Sequence, residues 1–129
     1  MNPIADMFTR IRNAQAVGKR VVVLSYSRFA CEILEVMKQR GYIEDFIKRG
    51  RRTKRSLEVV LKYQEDGSSR ITNLRLISKQ SRRMYAGKDR LKTFKTGPGI
   101  CIISTSKGVV SSDEAEKMNM GGEVIGEIW

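Results

Sequence analysis

Apolar residues recur along this chain with two different periods, and the switches between them mark out its elements. Ile4, Met7, Phe8 and Ile11 stand at i, i+3, i+4 and i+7, which predicts an amphipathic helix to about Val17. Asn2 and Pro3 precede it as N-cap and first-turn proline, and Gly18 supplies the stop. The β-branched run RVVVLS, residues 20–25, predicts a buried strand. Ser27 is placed to cap a second helix whose apolar face is Ala30, Ile33, Leu34 and Met37, ended by Gly41. YIEDFIKRG (42–50) and SLEVVLKY (56–63) read as hairpin strands joined by GRRTKR. The second alternates Leu57, Val59, Leu61 and Tyr63.

The polar, glycine-containing QEDGSS (64–69) is the predicted hinge between two halves. Beyond it, RITNLRLIS (70–78) predicts a strand, while KQSRRMYAGKDRLKTFKTGPG (79–99) has little helical period and reads as strand fragments and loops. ICIIS (100–104) is a strand. Ser111 and Glu114 form an S-x-x-E capping pattern for a short helix from about Ser112 to Asn119, and EVIGEIW (123–129) closes as a strand after Gly121-Gly122. The predicted fold class is α+β, with two small α/β domains. Residues 1–64 make an N-terminal α-β-α-β-β domain, and residues 65–129 a mostly β C-terminal domain with one short helix.

Composition narrows the function classes. No apolar run approaches the roughly 20 residues that span a bilayer, and Asp6 interrupts the region where a signal peptide would be apolar, so a cytoplasmic protein without a membrane partner is expected. Cys31 and Cys101 lie in apolar segments and read as reduced, packed thiols. With no histidine and no CxxC pair, neither a metal nor a cofactor is expected, and the commonest general base is missing. Charge changes the picture most. The chain has 25 Lys+Arg against 14 Asp+Glu, a formal +11. Residues 48–107 alone hold 17 basic and 4 acidic side chains, whereas residues 108–129 hold 1 and 5. A cationic middle between near-neutral and acidic ends predicts one basic face and a polyanionic partner.

Candidate chemistry centres on the end of the apolar run Ile100–Ile103, where Ser104, Thr105, Ser106 and Lys107 follow in succession. Three readings are open: a nucleophile with its base, a grip on phosphates and sugars, or a soluble turn. Ser104 and Lys107 spell the S-x-x-K of some acyl-transfer enzymes, but the companion S-D-N is missing. KTGPG (95–99) lacks phosphate-loop spacing and precedes a strand, so it reads as a turn. KRGRRTKR (48–55) is either a solvated hairpin tip or a phosphate clamp. SKQSRRMYAGKDRLKTFK (78–95) interleaves Arg82, Arg83, Lys88, Arg90, Lys92 and Lys95 with Tyr85 and Phe94. Cations there suit phosphates, and an aromatic face suits an unpaired base. Beside such a surface, Ser and Thr hydroxyls at a rigid strand end suit a ribose 2′-OH, a base edge or a phosphate.

These residues carry a resemblance. GICIISTSKGVVSSDEA (99–115), PIADMFTRIRNAQ (3–15), GYIEDF (41–46), SRRMYAGKDRL (81–91) and GGEVIGEIW (121–129) resemble, in order, the bacterial S8 family of small-subunit ribosomal proteins. The resemblance implies a non-enzymatic constituent of the small subunit, without small-molecule substrate. It implies a primary binder of the central domain of small-subunit ribosomal RNA that supports assembly, with neighbouring small-subunit proteins as further partners. It also implies a second role, repression of translation by binding the chain's own operon messenger. By motif match, RNA contacts fall on Ser104, Thr105, Ser106, Lys107, Tyr85 and the Gly121-Gly122-Glu123 turn, with Arg82, Arg83 and Lys88 on phosphates. Thr9, Arg10 and Arg12 are secondary candidates, as are Arg51, Arg52, Lys54 and Arg55 of the hairpin tip. Two features depart from the family pattern: Glu116 stands where a basic residue commonly follows the motif alanine, Ala115, and the tip GRRTKR is unusually basic.

Overall fold

The computed structural model describes residues 2–91 and 98–129. The predicted α+β class is what is found: three helices and two antiparallel sheets among the described residues, in two compact units, Pro3–Thr72 and Asn73–Trp129. Lys92, Phe94 and Lys95, and the start of the KTGPG turn, lie outside the described residues.

The first unit runs α1 (Pro3–Ala16), β1 (Val21–Ser25), α2 (Arg28–Gln39), β2 (Ile43–Arg49) and β3 (Ser56–Leu61), in the predicted α-β-α-β-β order. The helical periods of the sequence are the buried stripes: Ile4, Met7, Phe8, Ile11 and Ala14 on α1, and Ala30, Ile33, Leu34, Val36 and Met37 on α2. The Ser27 side chain caps α2 by accepting from the Ala30 N–H at 3.0 Å. The sheet order is β1-β3-β2, so the hairpin strand β3 lies centrally and buries Leu57, Val59 and Leu61 on alternate positions. One expectation changes here. RVVVLS is not a buried strand but an edge strand: β1 pairs with β3 only, Leu24 is buried, and Val21 and Val23 stay 39% and 52% exposed. β-branched side chains favour strands wherever they lie, so such a run cannot distinguish an edge from a centre.

The sequence places the division between residues 64 and 65, whereas packing places it after Thr72. QEDGSS closes a turn on the first unit. Gln64 N–H donates to Ser68 O at 2.8 Å, Tyr63 bridges to Ser69, and Arg70 N–H donates back to Lys62 O at 2.9 Å. The Arg70 guanidinium then stands 4.5 Å over the ring of the buried Tyr42.

The second unit comprises β4 (Leu74–Leu76), β5 (Tyr85–Ala86), β6 (Ile100–Thr105), β7 (Gly108–Ser111), α3 (Ser112–Lys117) and β8 (Gly122–Ile128). Its sheet runs β4-β8-β6-β7, with β5 also paired to β8. The strand expected over 70–78 shrinks to Leu74–Leu76, because the Ile77 and Ser78 N–H groups both turn to Ile125 O and end the ladder. The strand β7 is an addition to the predicted elements: GVVS pairs with β6 before Ser111 caps α3 by accepting from Glu114 N–H at 3.2 Å. The all-apolar ICII is explained by burial on both sheet faces. Cys101 and Ile103 pack with Ala86, Leu91, Ala115 and Val124, while Ile100 and Ile102, pointing the other way, are also buried. At Ser104 the burial ends.

Candidate nucleic-acid interface

Register, not sequence proximity, assembles the candidate site. Tyr85 pairs with Glu123, Glu123 with Ser104, and Ser104 with Val109, across β5, β8, β6 and β7. Directly opposed residues on antiparallel strands point to one face, so these four side chains form a row. The alternate positions Ala86, Ile103 and Val124 turn into the core on the opposite face. Tyr85 is 68% exposed, so its ring lies on the surface and not at the edge of the core.

The four-residue hydroxyl segment divides by role. β6 and β7 pair as far as Thr105 and Gly108, leaving Ser106 and Lys107 as the hairpin tip. Thr105 Oγ1 donates to Gly108 O at 2.7 Å and accepts from Lys107 N–H at 3.1 Å, so its hydroxyl is used in shaping the turn. Gly108 closes it with φ +119, a backbone state that L side chains disfavour. Ser106 and Lys107 are exposed and Ser104 half-buried at the last core level. Lys107 is exposed at the hairpin tip, whereas a lysine base works from an apolar pocket, which counts against the acyl-transfer reading. The chain's K-T-G triplet, Lys95-Thr96-Gly97, lies outside the described residues.

The Gly121-Gly122 pair has a packing reason. A Cβ on Gly121 would stand 2.3 Å from Ala86 O, and one on Gly122 2.2 Å from Ser104 O. Both glycines let β8 enter between β5 and β6 closely enough to bring Tyr85 and Ser104 into one row. Glu123 is an anchor: its Oε2 accepts from Ser78 Oγ and pairs with Arg83 Nη1 at 3.1 Å. Ser78 Oγ in turn accepts from Met84 N–H at 3.1 Å. The carboxylate thus fixes an otherwise half-exposed guanidinium beside the row. Ser78 was not among the sequence candidates, and at a separation of 45 positions from Glu123 no local signal marks it. Arg82 ends a tight turn in which it and Lys79 exchange both backbone hydrogen bonds at 3.0 Å, and Lys88 follows β5; both side chains are exposed. Hence Ser104–Lys107, Arg82, Arg83, Tyr85, Lys88 and Gly121–Glu123 gather at one end of one sheet.

The secondary candidates belong to the first unit. Thr9, Arg10 and Arg12 are exposed on α1, with Arg10 Nε paired to Asp6 Oδ2 at 2.9 Å. Arg51, Arg52, Lys54 and Arg55 form the β2–β3 turn. Among the described residues, no group of three or more His, Cys, Asp or Glu side chains is placed to hold a metal, and no helix is long and apolar enough to cross a membrane. Cys31 and Cys101 are unbridged, and burial pushes the Cys31 thiol pKa up.

The second unit is a packed scaffold whose sheet end presents hydroxyl, aromatic and cationic groups to solvent. The family model described as "Ribosomal protein S8" matches residues 2–129. The "Small ribosomal subunit protein uS8" of Helicobacter pylori (strain Shi470) is 43% identical over 126 residues, covering 98% of this chain and 96% of that protein. The protein of the same name from a Nitratiruptor species is 44% identical over 129 residues, with the same coverage. The chain belongs to the ribosomal protein S8 family, and its role is structural, in the small ribosomal subunit.

Proposed function

We propose that the face carrying Tyr85, Ser104 and the 104–108 hairpin binds the central domain of small-subunit ribosomal RNA and supports its assembly. The observation that carries this reading is the state of the two serine hydroxyls. Neither Ser104 Oγ nor Ser106 Oγ has a hydrogen-bond partner among the described residues, yet both sit on a rigid hairpin beside an exposed aromatic ring. Hydroxyls so placed can donate to and accept from a ribose 2′-OH or a base edge, and the Tyr85 ring offers a stacking surface. Lys107, Arg82, Arg83 and Lys88 supply phosphate contacts, with Arg83 positioned by Glu123. Thr105 and the two glycines act through backbone shape. Thr9, Arg10 and Arg12 add phosphate contacts, and neighbouring small-subunit proteins complete the chain's surroundings.

Equilibrium binding to a central-domain transcript and to a scrambled transcript of equal length tests the proposal. Ser106→Ala is expected to lower cognate affinity about 5–10-fold, the worth of one hydrogen bond at about 1 kcal/mol, and to leave scrambled binding unchanged. Equal losses on both RNAs would overturn it. Because the row reads shape and hydroxyls, a messenger stem of the same shape would occupy the same face. Repression through the chain's own operon messenger is therefore the second reading, and it predicts that the two RNAs compete for the protein.

A further inference from the structure

We propose that the end of the first unit built by the β2–β3 turn and the start of α2 is a second RNA-backbone contact, one that grips phosphates without regard to sequence. The inference rests on the reading of the chain as an RNA binder.

Six of the eight residues from Lys48 to Arg55 are basic. Arg49 is offset by Glu58, 3.4 Å away, but Arg51, Arg52 and Lys54 are exposed and form no ion pair among the described residues. The turn that holds them is closed tightly. A Cβ on Gly50, where φ is +83, would stand 2.0 Å from Lys54 O, and Lys54 N–H donates to Arg51 O at 3.0 Å. Arg52 adopts φ +55, a left-handed state that costs a non-glycine residue about 1 kcal/mol. A chain selected for stability alone would place glycine or asparagine there. Instead, strain and like-charge repulsion are both retained where three cations are displayed.

The surroundings extend the same field. Ser25 pairs with Ser56 at the end of the β1–β3 ladder, and just beyond it the Arg55 guanidinium lies 5.3 Å from the Tyr26 ring. Ser27 and Arg28 follow at once and open α2, whose first turn holds no acidic residue. A helix N-terminus carries partial positive charge and is stabilised by anions, so an arginine there worsens the isolated protein's electrostatics. Two of these conflicts, the like-charge repulsion at the turn and the arginine at a helix N-terminus, are relieved by one event, the arrival of a polyanion. The segment GRRTKR carries four cations and no acidic or apolar side chain, a composition that suits a phosphate backbone.

The test measures affinity for the central-domain and scrambled transcripts over a potassium chloride series, with wild type, R51A/R52G/K54A and R51K/R52K. Glycine at 52 removes the charge and relieves the positive φ, and thermal unfolding checks that the triple variant is folded. The triple variant is expected to bind both transcripts about 10-fold or more weakly at low salt, with a log–log salt slope shallower by about 2–3. R51K/R52K should stay near wild type, because a point charge suffices for a phosphate. Unchanged affinity and slope in the triple variant would overturn the inference while leaving the Ser104 face intact. So would a loss confined to the cognate RNA, or one confined to binding of a neighbouring protein. A wild type that fails to prefer the cognate transcript would instead sink the Ser104 reading, whereas a salt slope lost in the triple variant would still support the second contact.

Discussion

Thr105 and Ser106 are neighbours with the same functional group and different roles. The Thr105 hydroxyl closes the hairpin through Gly108 O and Lys107 N–H, while the Ser106 hydroxyl faces solvent. Thr105→Ala should therefore destabilise the fold by about 1–2 kcal/mol in urea denaturation, and Ser106→Ala should leave stability within about 0.5 kcal/mol. Equal stability losses would contradict this division. Glu123→Gln should leave the sheet in place but weaken the hold on Arg83, narrowing the preference for the cognate over the scrambled transcript in equilibrium binding. The cluster at 104–107 was legible in the sequence as a run of hydroxyls after a buried strand. Which hydroxyl shapes the turn was not, because that depends on the strand β7, four residues that pair only after β6 has folded back. Ser78 was invisible for a related reason: its partner lies on a strand distant in sequence.

Elements with a strong period were legible almost to their ends. α1, α2 and β3 carry their buried faces at the spacing their geometry demands, and the fold class followed from them. Elements whose limits are set by partners were not. β1 is open because β3 has β2 on its other side, and β4 is short because two N–H groups converge on one carbonyl. The close approach of β8 to its neighbours gives a prediction at this scale. Gly122→Ala puts a methyl against the Ser104 carbonyl, so β6 and β8 must separate. A loss of about 2 kcal/mol or more in stability is expected, together with weaker RNA binding, since the same shift displaces the Tyr85–Ser104 row. Wild-type stability in this variant would show that the strands are not so closely apposed.

For the molecule as a whole, charge was the most legible property, because a surplus of cations between residues 48 and 107 needs no fold to be counted. Its division between the 48–55 turn and the 78–95 stretch was legible too, whereas the cross-strand register that makes the row required the structure. Three side chains of the first unit, Lys38, Asp45 and Asp66, tie stability to pH. The Lys38 hydrogen bond and the Phe46 N–H hold the Asp45 carboxyl pKa below its ordinary value, and a hydrogen bond from the Ser68 side chain does the same for Asp66. The Asp45 contact raises Lys38 above its ordinary value. A depressed carboxylate contributes stability above its ordinary pKa and loses it as pH falls through the folded one. A raised lysine contributes below its ordinary pKa and loses that stability as pH rises through the folded one. These groups should lower the melting temperature as pH falls below about 4 and as it rises above about 10, with Asp45→Asn shrinking both limbs because the Lys38 contact goes with it. The central claim concerns where RNA sits. Amide chemical-shift mapping on addition of a central-domain stem transcript tests it most directly. Perturbations at Ser104–Gly108, around Tyr85 and at Gly121–Glu123 are predicted, and a titration that saturates while leaving the 104–108 hairpin unshifted would contradict the account.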